Sequence, residues 1–497
     1  MLKLVLGTSG SGKTTLLYAR IRARAEAGKR SILLVPEQFT SSTEARIYRE
    51  LGDALSGMVE SYSFTSLAEH ILAIEGGAAV QTLTDAGRAV LVRRALEELQ
   101  DNVHYYYRHR RSAAFCQMAA ETIDELKSAG LSGQQLQELA RDCGTESAKL
   151  GELALIFQGY ESLLAGTGMD PADRLELAAD RLEAALARDE LPDFLREREV
   201  FIDEFDTFNA PKKRLMGAML AALPAVTVAL CEDGAPMQPG DLELFSGAKQ
   251  VAAQLRQLAR KNGAQVAAPE LLRRDLRHKD APGLAALTEL LETGSCTPPE
   301  SAPELRLFAA ASREEEARCA AAAIRRLMRQ GVRCGKIAVV CRDISLYRAA
   351  VRYEFRMAEI PLYCDEPTTP EFSAPATAVR ALLALLRGAD MTEQLTVLAK
   401  TGLCALTEPE VCALENYAYT WSPNAAAWRA EFTKSPRGFG DAELTEEDTL
   451  NLTRAENARK KLVTAVDTLR SKVRSANAEQ ISRALYFCLK ELGAEGQ

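Results

Sequence analysis

At 497 residues the chain is too long for a single hydrophobic core, and length alone points to about three or four domains. Hydrophobic residues make up 47% and charged residues 26%, the balance of an ordinary globular protein, and no apolar run reaches the ~20 residues of a membrane-spanning helix. A net charge of −8 excludes a uniformly basic nucleic-acid binder but not a basic groove on an acidic body, while eleven cysteines without a C-x-x-C pair argue against zinc and disulfide frameworks and for reduced, cytoplasmic thiols.

In chain order, LKLVL reads as a buried strand, and TTLLYARIRARAEAG as the helix after a glycine-rich loop. KRSILLVPEQ is a strand running into a proline-containing loop, GMVESYSF a second strand-like piece, and TSLAEHILAI a helix. Alternating strand and helix imply a parallel sheet covered on both faces. From about 80 to 195 only helical periodicity is found, in TDAGRAVLVRRALEEL, AAFCQMAAETIDELKSAG, SAKLGELALIFQGYESLLA and DRLELAADRLEAALARD. Strands return at REVFIDEFDTF and AVTVALCED, with the helix PKKRLMGAMLAAL between them, so the first sheet resumes after a helical interruption. The stretch 265–303 reads as a linker. ELRLFAAA, KIAVVCRD and IPLYCDE are then expected as strands of a second α/β unit, with a helix opened by a capping box of Ser312 and Glu315. Beyond about 370 the chain reads as helical, with a polar interruption around 422–445.

Chemistry concentrates in a few motifs. GTSGSGKTT places Gly7, Thr8, Ser9, Gly10, Ser11, Gly12, Lys13, Thr14 and Thr15 between strand and helix, the full G-x-x-x-x-G-K-[ST] pattern. Glycines let backbone N–H groups curl around phosphates at a helix N-terminus, Lys13 reaches the phosphates, and Thr14 holds Mg²⁺. VFIDEF supplies an acidic partner at the end of a strand expected next to the loop strand. Asp203 is the metal-side acid, and Glu204 is placed to polarise the attacking water. VPEQ, with Gln38, and SYSFTS, with Phe64 as a possible base-stacking ring, lie where nucleic acid could meet the carboxyl edge of the sheet. YYYRHRR interleaves tyrosines with Arg108, Arg110 and Arg111, a pattern suited to stacking and phosphate pairing, although a solvated loop is the plainer reading. The four histidines, His70, His104, His109 and His278, form no metal-like spacing.

Taken in order, GTSGSGKTT, ILLVPEQFT, SFTSLAEHIL, DELKSAGLS, KLGELALIFQGYESLL, VFIDEFDTF, SREEEARCAAAAIRRL, IAVVCRD, IPLYCDE and TGLCALTEPEVCALENYAYTW resemble segments of the B subunit of the bacterial AddAB (RexAB) ATP-dependent helicase–nuclease. The resemblance implies RecA-like parallel sheets with all-helical insertions, the superfamily 1 helicase architecture, with the second lobe incomplete. It divides the chain at 1–80 and 196–302 for the first lobe, 81–195 for its insertion, 303–387 for the start of the second lobe and 388–497 for part of another insertion. It implies ATP and Mg²⁺ as ligands, DNA and a homologous A subunit as partners, no membrane, and a role in double-strand-break end resection. It also implies a nuclease domain and a 4Fe–4S cluster whose ligands are not in these residues, so the chain reads as an N-terminal portion, with ATP binding but negligible hydrolysis, unwinding or strand cleavage by itself. Relatives often lack the second acid of VFIDEF, so Glu204 is a departure toward hydrolysis. A non-translocating scaffold that binds nucleotide and a DNA signal, and a phosphate-loop kinase for a small molecule, are the alternatives.

Overall fold

Strand Leu2–Gly7 (β1) is apolar on both faces, and the fold explains why: it lies inside a parallel sheet. In the computed structural model, which describes residues 1–497 except 78, 80, 237–243, 365–369, 441–442 and 497, the chain divides into two units, Met1–Phe308 and Ala309–Gln497.

The first unit is built on β1, Ser31–Leu34 (β2), Val59–Tyr62 (β3), Glu199–Ile202 (β4), Ala225–Cys231 (β5) and Glu270–Leu272 (β6). Among the described residues they form one all-parallel sheet in the order β3-β2-β4-β5-β1-β6. Alternation along the strands serves both faces. Leu4, Leu6, Ile32, Leu34, Val200, Ile202 and Val228 pack under helices Phe64–Glu75, Pro171–Ala187, Ala210–Ala222 and Ser246–Lys261. Val5, Leu33, Phe201 and Ala229 face Leu17 and Ile21 of helix Lys13–Glu26 and Ile47 of helix Thr40–Leu51. At the lower edge, buried Glu199 is satisfied by Lys3 at 2.8 Å, Arg24 at 3.3 Å and the Thr227 hydroxyl at 2.9 Å.

Between β3 and β4 the chain makes a helical excursion with a core of its own. Leu91, Val92, Leu96, Ile123, Ile156 and Phe157 join helices Asp85–Glu98, Ala113–Ser128 and Ser147–Leu164. Its two ends are zipped by a parallel bridge at Thr82 and Met169. A buried ionic knot sits beside that neck: Lys127 bonds Asp170 and Asp173, each at 2.8 Å, and the Tyr160 hydroxyl donates to Asp170 at 2.6 Å. Helix Pro171–Ala187, expected with the insertion, instead contributes Leu175, Ala178, Ala179 and Leu182 to the core of the sheet. The stretch 265–303, read as a linker, supplies both β6 and helix Pro282–Thr293.

The second unit departs further from expectation. Its described residues contain no strand. Helices Arg313–Arg329 and Ile344–Met357 pack through Ala317, Ala321, Ile324, Ala350, Val351 and Phe355, and Ser312 caps the first of them. KIAVVCRD runs extended without a ladder, leaving Val340 90% exposed, and Tyr363 of IPLYCDE is 87% exposed. ELRLFAAA, which spans the division between the units, is likewise unpaired, with Leu307 99% exposed. Strand composition becomes a strand only when a neighbour accepts its backbone hydrogen bonds, and among the described residues these segments have none. Asp365 and Glu366 lie outside the described residues. From Ala374 to Leu492 the unit is a helical bundle around Leu382, Leu395, Leu414, Trp428, Leu462 and Leu469. Among the described residues no helix is long and apolar enough to cross a membrane.

Candidate functional site

The carboxyl ends of β1, β4 and β5 gather the titratable side chains of the two motifs. β1 ends at Gly7, and Lys13 opens the following helix, so the intervening loop wraps a helix N-terminus. Gly10 and Gly12 adopt φ of +81° and +91°, the left-handed region that the curl requires. Lys13 folds back over its own loop, its Nζ donating to Gly7 O at 2.7 Å and Thr8 O at 2.8 Å. Burial pulls its ammonium below the ordinary lysine value, opposed by Cys231 and Asp203, so the site holds a cation short of negative charge. Ser11 Oγ is buried without a hydrogen-bond partner. An orphaned hydroxyl, a partly desolvated ammonium and a glycine curl are what a phosphate group fits.

Asp203 is buried just past β4, with Oδ1 accepting the Glu204 amide at 3.0 Å. The sheet order corrects one expectation: β4 is not beside β1, because β5 lies between them. Asp203 therefore faces the loop across Cys231, which pairs in register with Gly7, about two strand spacings or ~10 Å away. That separation suits a carboxylate that holds a metal through water. Glu204 has φ +65°, rare for a residue with a side chain, and strain of this kind concentrates where geometry serves chemistry. Partial burial, then the charge of Asp203, raises its carboxyl above the usual range.

Three contributors were not legible in the sequence. Segment 275–277, just past β6, braces the loop: the Leu276 amide donates to Gly10 O at 3.0 Å and Arg277 Nη1 to Ser9 Oγ at 3.2 Å. A Cβ on Gly10 would lie 2.8 Å from both Arg277 Cβ and Asp275 Oδ1, so glycine is required there for packing as well as for φ. Only the β1–β6 register brings these residues together across the chain. The third is Tyr18, buried on the loop helix, with the Arg46 guanidinium over its ring at 4.8 Å.

The other candidates scatter. Gln38 is exposed beyond β2, in a turn pinned where the Thr65 hydroxyl donates to Glu37 at 2.7 Å. Phe64 is 1% exposed and packs edge-on against Phe205 and Phe208, so this ring belongs to the core and offers no face to a base. Arg108, Arg110 and Arg111 lie on the helical excursion, in a loop gathered by Glu152, which accepts the amides of His104, Tyr105 and Tyr106. Arg110 is spent on its own loop, bonding Tyr107 O at 3.0 Å and stacking 3.7 Å over the Tyr107 ring. Arg108 and Arg111 are exposed and have no ion-pair partner among the described residues.

Residues 4–288 match the family described as ADDB, N-terminal. Over its whole length the chain is 30% identical to the B subunit of the ATP-dependent helicase/deoxyribonuclease of Desulforudis audaxviator, covering 44% of that protein. The protein of the same name from Moorella thermoacetica is 30% identical over 99% of the chain and 44% of its own length. In Heliobacterium modesticaldum the corresponding protein is 28% identical over 100% of the chain and 42% of its own length. The chain thus spans less than half the length of these relatives.

Proposed function

The chain belongs to the ADDB N-terminal family, and from that premise we propose that it is the nucleotide- and DNA-binding part of the B subunit of an ATP-dependent helicase–deoxyribonuclease that acts on double-strand ends in repair. The observation that carries the reading is Lys13, partly buried and held over Gly7 and Thr8 beside the unpartnered Ser11 hydroxyl. A phosphate loop after β1 of a β3-β2-β4-β5-β1-β6 sheet supports the RecA-like assignment. On this reading 1–80 and 196–302 form the first lobe, 81–195 its insertion, 303–387 the start of a second lobe and 388–497 a second insertion.

Within the first lobe, Gly7–Thr15 would cradle the phosphates of ATP, and Arg277 is placed to meet them from the β6 side. Thr14 and Asp203 would hold Mg²⁺, which when bound neutralises phosphate charge. Glu204 would orient the attacking water. Gln38, Arg108 and Arg111 are the proposed DNA contacts, and the homologous A subunit is the proposed partner. Calorimetric titration of the chain with ATP–Mg²⁺ tests the nucleotide site; absence of saturable heat would overturn it.

The DNA contacts carry their own prediction. Changing Arg108, Arg110 and Arg111 together to Ala should weaken single-stranded DNA binding. Each lost phosphate contact removes about 0.7 from the slope of log affinity against log salt, so loss of the two free arginines should flatten it by roughly 1.4. Fluorescence anisotropy across a salt series reads both quantities. An unchanged slope would clear this loop of the role.

A further inference from the structure

We propose that Arg46 is a positioning residue for Glu204, holding that carboxylate toward the phosphate loop from across the ring of Tyr18. The inference rests on the hydrolytic role given to Glu204 above.

Tyr18 lies five residues after Lys13 on the same helix, 6% exposed, so its ring is a fixed wall beside the nucleotide loop. Burial pushes its hydroxyl up to about 12, so it stays neutral and contributes a ring face rather than a charge. Arg46 sits on helix Thr40–Leu51, which is anchored through Thr43, Ile47 and Leu51, and its guanidinium lies 4.8 Å over that ring. Among the described residues no carboxylate lies within ion-pair distance of Arg46. A half-buried guanidinium that meets a ring and no acid keeps its donors available.

The acid it faces is Glu204. The field of Arg46 reaches Glu204, drawing it toward the ionised form, and reaches Tyr18 as well. Glu204 itself is held by backbone alone: a left-handed φ and an amide bond to Asp203 set the direction of its Cβ and leave the carboxylate to swing. A base that must meet a water in line with a phosphate needs that last rotation fixed. Arg46 is the cation in place to fix it, and its planar fork suits a carboxylate.

The test uses the complete helicase–deoxyribonuclease complex. Arg46→Ala should lower kcat for ATP hydrolysis by roughly tenfold or more, a share of what a positioned base contributes. The ATP–Mg²⁺ dissociation constant of the 497-residue chain should stay unchanged, because a contact made only around the attacking water leaves ground-state binding alone. Arg46→Lys should restore part of the rate, and Tyr18→Phe, which keeps the ring, should match the unmodified complex. Adding Arg46→Ala to Glu204→Gln should slow turnover no further, since the two act as one unit. Additive losses, or a raised KM with unchanged kcat, would overturn the assignment and make Arg46 a nucleotide contact or a structural residue. If Glu204→Gln alone keeps full turnover, the role given to Glu204 fails and this inference with it. If Glu204→Gln is inactive while Arg46→Ala is unimpaired, only this inference fails.

Discussion

Replacing Lys13 by alanine is expected to weaken ATP–Mg²⁺ binding by at least about 100-fold, enough to remove the calorimetric signal at ordinary concentrations. The ammonium has three donors, and two of them are committed to Gly7 O and Thr8 O at 2.7 and 2.8 Å. Those bonds shape the loop; the remaining proton and the charge face the phosphates. A hydrogen bond to a charged group contributes about 1.5–3 kcal/mol, and alanine would also leave two carbonyls unpartnered. Burial has already lowered the affinity of Lys13 for its proton, so an arriving phosphate recovers charge stabilisation that the empty loop lacks. Arginine should not substitute, because its planar fork does not replace a compact point charge inside a tight curl. Undiminished affinity in Lys13→Ala would show that the loop is a vestige and that nucleotide, if bound, sits elsewhere.

Trp428→Ala should destabilise the helical bundle of the second unit by about 3–5 kcal/mol, the range for removing a large buried aromatic. Trp428 is 0% exposed, its ring meets Phe432 at 5.4 Å, and its Nε1 donates to Thr392 Oγ1 at 2.9 Å. It sits on a helix of five residues, Ala425–Arg429, which is too short to hold itself and is fixed by what it buries. Truncation would leave a cavity at the junction of helices Met391–Lys400 and Glu446–Lys472, and Arg459, which bonds Trp428 O at 2.8 Å, would lose its fixed partner as the short helix loosens. Chemical denaturation followed by far-ultraviolet circular dichroism should show an early transition for this unit. Affinity for ATP should be unchanged, since no phosphate-loop residue belongs to it. A single transition at the original midpoint would show that the short helix is dispensable. Trp428→Phe should lose less, because it keeps an aromatic ring and forfeits mainly the bond to Thr392.

Local pattern carried much of the first unit and little of the second. GTSGSGKTT and VFIDEF are contiguous signals whose chemistry depends on a few neighbouring residues, so both could be located before any tertiary information. Phe64 shows where such reasoning stops. Its neighbours SYSFTS look like an exposed turn, yet the side chain is decided by Phe205 and Phe208, about 140 residues away in the chain. Leu276 and Arg277 were invisible for a related reason. β6 is three residues long, below the length at which alternation can be seen, and its pairing with β1 is a tertiary fact. KIAVVCRD illustrates the opposite failure. Its composition is that of a strand, but a ladder needs a partner, and composition does not reveal whether one is present.

Sheet order also sets a timetable for synthesis. β1 is made before every other strand of the sheet, yet both of its neighbours come late: Leu2 registers with Val226, and Val5 with Glu270. At the ~5–20 residues per second of translation, β1 waits on the order of ten to forty seconds before β5 exists to receive it. The helical excursion, whose core closes over short separations, has everything it needs well before then. The nascent chain therefore carries a finished helical module ahead of an unfinished sheet, with an apolar first strand that must be shielded until the middle of the first unit has emerged.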